Sequence, residues 1–115
     1  EDFEKLVNLY PEKEIYLLEL GYPSSEVCDS TETKQAQFIS ETFQAWDTHA
    51  EQIKVINFAW LYEVSPDTVK GHEEYYGFEN RGFAAYLGSI GFLNYDGSEK
   101  SAYGRLKAEA DARGW

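Results

Sequence analysis

Two apolar runs of strand length flank one amphipathic helix, and that order constrains this chain more than any other feature. The first run is residues 14–20, Glu14-Ile15-Tyr16-Leu17-Leu18-Glu19-Leu20. The second, Lys54-Val55-Ile56-Asn57-Phe58-Ala59-Trp60-Leu61-Tyr62, is nearly apolar throughout, as expected of a parallel strand covered on both faces. Between them a helix from about residue 32 to 51 sets Ile39, Phe43, Trp46 and Ala50 at intervals of 4, 3 and 4, one apolar stripe. Asp29-Ser30-Thr31 offers side chains to cap its start. A strand–helix–strand crossover within one sheet is parallel and right-handed. Two parallel strands do not make a self-sufficient sheet. The chain therefore reads as an incomplete α/β architecture, and its unpaired strand edges call for a covering partner or a second copy.

The flanks complete the outline. Phe3, Leu6, Val7 and Tyr10 recur at helical spacing until Pro11 stops them. A long loop is expected over residues 63–81, then a short helix over 82–90 ended by Gly91. Asp96-Gly97 forms a turn, Ser98 is placed to cap, and a final helix spans about 99–112 with Ala102, Leu106 and Ala110 on its thin apolar face. The chain begins with Glu1 and contains no Met, so it reads as a processed product or a piece of something longer.

Glu19 stands out within the first run. It sits near the end of an apolar strand, and Gly21-Tyr22-Pro23 turns the chain at once. A buried ionised carboxylate is costly unless paired or hydrogen-bonded, so such a residue has either a structural partner or a chemical task. The ends of parallel strands are also where α/β folds place their chemistry.

Charge and composition exclude several classes. A formal net charge of −11 over 115 residues argues against nucleic acid, whose phosphates need Lys/Arg patches, and against anionic membranes. Aromatic residues reach 17 %, which supplies either core volume or flat faces for sugars. Cys28 is the only cysteine, so no internal disulfide is possible. Gly71-His72-Glu73-Glu74 matches no metal-ligand spacing, and no metal is expected. The acidic residues Glu63, Asp67, Glu73, Glu74 and Glu79 read as a solvated loop that could also meet sugar hydroxyls. Trp46 reads as core, Trp115 as an exposed end and His49 as solvated.

Residues 14–105 resemble the C-terminal quarter of a clan-A retaining glycoside hydrolase, a (β/α)8 barrel. The matching motifs are Glu19-Leu20-Gly21-Tyr22-Pro23-Ser24-Ser25 on a seventh strand and Gln35-Ala36-Gln37-Phe38 in the following helix. An eighth strand ends Ala59-Trp60-Leu61-Tyr62, and Gly91-Phe92-Leu93 through Asp96-Gly97 to Lys100-Ser101-Ala102 forms the tail. The resemblance implies an α/β fold, a partial TIM barrel of about two βα units plus C-terminal helices, with residues 1–115 as one quarter-barrel segment. It implies Glu19 as the nucleophile of β-glycoside cleavage and Trp60 as the platform under the reacting sugar. Tyr62 is a second aromatic candidate, on the same strand face by alternation, and Tyr22 a hydrogen-bond donor toward the site. The expected partner is carbohydrate, with no cofactor. Retention needs a second carboxyl group about 5–5.5 Å from the nucleophile, which the family draws from its fourth strand. The isolated chain is therefore expected to be inactive and to associate with itself or with the rest of its barrel. The competing expectation is a non-catalytic carbohydrate-binding or self-assembling remnant of such a barrel. For Glu19 a structural ion pair, and for Trp60 plain core packing, remain the simpler alternatives.

Overall fold

The computed structural model describes residues 1–115. The order is α1 (Asp2–Leu9), β1 (Ile15–Leu20), a 3-10 turn at Glu26–Cys28, α2 (Glu32–His49), β2 (Ile53–Phe58), α3 (Pro66–Tyr76), α4 (Arg81–Leu87) and α5 (Ser101–Ala112). β1 and β2 pair in parallel, with Ile15 opposite Ile53 and Leu20 opposite Phe58. The fold is thus mixed α/β around a two-stranded parallel sheet.

The helices cover one side of that sheet. Thr31 caps α2 through the Lys34 amide, and the apolar stripe of α2 delivers Ile39 and Phe43 to the core. There they meet Phe92 and Ala102, with Phe58 of β2 packed between the Phe43 and Phe92 rings. The Trp46 indole is only partly buried, and its Nε1 donates to the Ile53 carbonyl at 2.7 Å. That bond fixes the end of α2 to the start of β2. Trp115 is exposed at its edge, as expected of an end, yet its ring lies 5.5 Å from Trp46 and 6.0 Å from Phe43.

The other side of the sheet is bare. Tyr16 lies opposite Val55, and both are exposed; Leu18, two residues on, is 66 % exposed. Only 14 of 115 residues are buried, so the core is small for the length. The accessible surface is 7447 Å², whereas a compact monomer of 13.2 kDa exposes about 6,400 Å². The radius of gyration is 15.4 Å, against about 13 Å for a compact chain of this length. The excess, on the order of 1,000 Å², is close to what one partner contributes to a standard interface.

Four elements depart from the sequence expectation. The loop expected over residues 63–81 contains the helix α3. Ser65 accepts from the Thr68 amide, Pro66 fills the first helical position where no amide is needed, and Gly77 closes the helix at φ +73°. β2 stops at Phe58 rather than Tyr62, because residues 60–63 leave β1 and bond residues 92–93 instead. Gly91 does not end α4; Gly88 does, donating its amide to the Ala84 carbonyl. Ser98 does not cap α5 either. Its hydroxyl donates to Asp96, and the α5 start is answered by Glu32 of α2, whose carboxylate accepts from the Ser101 amide and hydroxyl at 3.1 and 3.3 Å.

A second tie joins α5 to α2. Arg113 donates from Nε to Asp47 at 2.9 Å and from Nη1 to Glu109 at 2.8 Å, with its guanidinium over the Phe43 ring. The Arg113 hydrogen bond holds Asp47 below the usual carboxylate range. Glu109 is lowered first by the Ser40 hydroxyl and then by Arg113. Both acids have depressed folded values, so their stabilising effect is complete above the unfolded carboxyl range of about 4 and is lost as pH falls through it. Thermal midpoints should hold level down to about pH 5 and drop below that. In Arg113→Ala the drop should be shallower, and an equally steep drop would show that other acids govern it.

Candidate functional site

Parallel pairing carries the two strands to a common end. The Ala59 amide donates to the Leu20 carbonyl at 2.8 Å, and a Cβ on Gly21 would lie 3.0 Å from the Ala59 oxygen. The segments that follow β1 and β2 therefore leave the sheet side by side, one just past Glu19 and the other carrying Trp60. The Ala59–Trp60 peptide is cis.

Glu19 is exposed, not buried as its apolar setting suggests, and it enters no ion pair. Leu18 beside it is exposed as well, so the end of β1 is open to solvent. Trp60 is half-buried, and its ring stacks on His72 of α3 at 6.2 Å and 23°. Tyr62 is exposed and lies outside β2, bridged in register to Leu93, so strand alternation does not relate it to Trp60. The Tyr22 ring stacks on Phe38 of α2 at 5.1 Å, while its carbonyl accepts from Gln35. Glu19 and Trp60 thus share one end of the sheet, and the Tyr22 ring belongs to the α2 side. A carboxylate free of cations is open to accept a hydroxyl or to meet an electrophilic carbon, and a partly open indole offers a flat apolar face.

Beneath this end lies a polar junction that holds its segments together. Gln35 is fully buried, with Nε2 2.9–3.2 Å from the carbonyls of Tyr22, Ser89, Ile90 and Gly91. Lys100 is buried as well. Its ammonium donates to Glu63 at 2.5 Å, to the Gly91 carbonyl at 2.7 Å and to the Ser89 carbonyl at 3.1 Å, three acceptors for three protons. Glu63 is therefore not part of a solvated acidic loop; it is the counter-charge of a buried lysine. Gly91 packs on the backbone of Tyr62 and Glu63. The sequence motif Gly91…Asp96-Gly97…Lys100…Ala102 thus has a physical content. Gly91 allows close approach, Gly97 turns the chain at φ +87°, Lys100 neutralises Glu63, and Ala102 is fully buried against α2.

α3 adds residues that the sequence reading left in a loop. His72 meets Trp60, and Tyr75 and Tyr76 project beyond it. The readable signal was Ser65-Pro66-Asp67 as a helix start and Gly77 as its end.

No protein family, curated protein or solved structure matches this chain. No helix is long and apolar enough to cross a membrane, and no group of three or more His, Cys, Asp or Glu side chains is arranged to hold a metal ion.

Proposed function

We propose that this chain forms the seventh and eighth βα units of a (β/α)8 barrel that cleaves β-linked glycans with retention of configuration. Glu19 is the nucleophile and Trp60 the platform under the reacting sugar, with Tyr62 a further aromatic contact and no cofactor required. The observation that carries this reading is the parallel pairing that sets the Glu19 strand end beside the segment bearing Trp60, with the carboxylate exposed and unpaired. The bare sheet face and the excess surface support further strands closing over Tyr16, Leu18 and Val55. The acid/base carboxyl group comes from those strands, about 5–5.5 Å from Glu19. Alone, the chain is inactive, and it associates with itself or with the remainder of the barrel.

The test is covalent trapping. A 2-deoxy-2-fluoro-β-glycoside with a dinitrophenolate leaving group is incubated with the natural gene product that contains this chain, and the peptides are mapped by mass spectrometry. The label is expected on Glu19 and absent in Glu19→Gln. A label on another carboxylate, or full turnover by Glu19→Gln, overturns the assignment. The second reading, a non-catalytic carbohydrate-binding or assembly module, draws on the same bare face. It predicts oligosaccharide binding that Glu19→Gln leaves intact, with no label anywhere.

A further inference from the structure

The indoles of Trp46 and Trp60 are held in different ways. Trp46 is pinned by the hydrogen bond from its Nε1 to the Ile53 carbonyl, and it packs against Phe43 and Trp115. Trp60 has no such bond, and the one aromatic ring it stacks on is His72. The Trp60 carbonyl accepts from the Phe92 amide at 3.2 Å, which fixes the main chain but not the ring. The second side-chain torsion of tryptophan is broad, so backbone alone does not choose the tilt of the indole. A neighbour must choose it. The imidazole lies at 23° to the indole with centroids 6.2 Å apart, an offset stack within the usual range of about 4.5–7 Å for aromatic pairs.

His72 can do this because α3 is itself fastened. Ser65 caps the start of the helix, and Gly77 closes its end. On either side of His72 the helix is tied down. Val69 is buried, and a Cβ on Gly88 at the end of α4 would lie only 3.6 Å from its side chain. The Glu73 carboxylate accepts from the amide of Asn80, the residue that caps α4, at 3.1 Å. The imidazole therefore reaches Trp60 from a helix anchored to its neighbour. His72 is half-buried and enters no ion pair, so its contact with Trp60 is ring to ring. It lies to one side of the indole, and a flat ligand can rest only on the part it leaves open.

We propose that His72 is a positioning residue for Trp60, which sets the tilt of the indole and so fixes the surface it offers to the sugar. The hold on the ring stands on the stacking geometry alone. Its effect on sugar binding rests on the carbohydrate reading of the Trp60 end.

The first measurement needs no sugar. In the full chain labelled with nitrogen-15, the indole N–H signals are assigned with Trp46→Phe and Trp115→Phe, and the heteronuclear NOE of each reports fast ring motion. His72→Ala should lower the Trp60 value, and His72→Phe, which keeps a flat ring, should restore it. The Trp46 value should hold in both variants. An unchanged Trp60 value in His72→Ala, no restoration by His72→Phe, or an equal change at Trp46 overturns the positioning role. The second measurement is the turnover of aryl β-glycosides by the natural gene product that contains this chain. His72→Ala should raise KM about three- to tenfold, the size of one aromatic contact, with kcat within about twofold. His72→Phe should return KM close to the native value. A raised KM in Trp60→Ala with His72→Ala silent overturns the role of His72 and leaves the carbohydrate reading standing. No β-glycoside turnover, or a KM that neither variant moves, overturns the carbohydrate reading and with it the effect of His72 on sugar, whatever the NOE shows.

Discussion

Lys100→Met is expected to unfold the chain or to lower its stability by about 3–5 kcal/mol, the cost of breaking a buried ion pair from one side. The lysine side chain is 1 % exposed, and all three of its protons are engaged. Methionine fits the aliphatic space but leaves the part-buried Glu63 carboxylate without its counter-charge and the Gly91 carbonyl with Gln35 as its only donor. Folded domains are stable by only about 5–15 kcal/mol, and this one has few buried residues. Urea unfolding followed by circular dichroism gives the measurement. The double variant Lys100→Met/Glu63→Leu should recover part of the loss, because it removes both charges together. A single variant within about 1 kcal/mol of the native chain would mean that the junction contributes little net stability.

The second large effect is expected at Gly91. A Cβ there would lie 2.3 Å from the Glu63 nitrogen and 2.6 Å from the Tyr62 carbonyl carbon. Both are backbone atoms, so no rotamer relieves the overlap. Gly91→Ala must separate residues 60–63 from 91–93. That stretches the Glu63 amide bond to Leu93 and the Leu93 amide bond to Leu61, each 2.8 Å long. It also draws the Gly91 carbonyl away from Lys100. A loss of about 3 kcal/mol or more is expected, at the high end for a single substitution. Gly104→Ala in α5 is the control. A Cβ there meets nothing within 4 Å, so the same methyl should stabilise by about 0.5–1 kcal/mol through helix propensity. If Gly91→Ala and Gly104→Ala behave alike in thermal melts, the close approach at Gly91 is not a constraint.

What could be read from the sequence was local. The intervals of Ile39, Phe43 and Trp46 located α2 and its inner face, because helix periodicity is carried by the side chains themselves. Thr31 as a cap and Gly97 as a turn follow from the chemistry of single residues. The parallel pair followed from the strand–helix–strand order. The errors arose where distant segments decide the outcome. Lys54–Tyr62 is apolar to its end, yet the strand stops at Phe58 because residues 91–93 compete for the backbone of residues 60–63. Ser98 has the side chain of a cap, but Asp96 claims it, and the α5 amide turns to Glu32, 69 residues away. Glu63 looked solvated because Lys100 lies 37 residues on. α3 was hidden by its own composition, since Pro66 and Gly71 read as loop residues until Pro66 is placed at the first helical position. At the candidate site, the shared strand end of Glu19 and Trp60 was legible from parallel topology. The exposure of Glu19 was not, because burial depends on what distant segments pack around the strand end.

The placement of Lys100 after every group it binds has a consequence for biosynthesis. Carbonyls at Ser89 and Gly91, and the acid at Glu63, leave the ribosome before the cation that answers them. Until Lys100 emerges, Glu63 lacks its counter-charge, and the junction of residues 60–63 with 91–93 rests on Gln35 and on backbone bonds alone. This segment therefore gains its last tie only after Lys100 has been made. A premature stop before Lys100 would release a polypeptide whose earlier helices lack their anchor, a natural substrate for quality-control proteolysis.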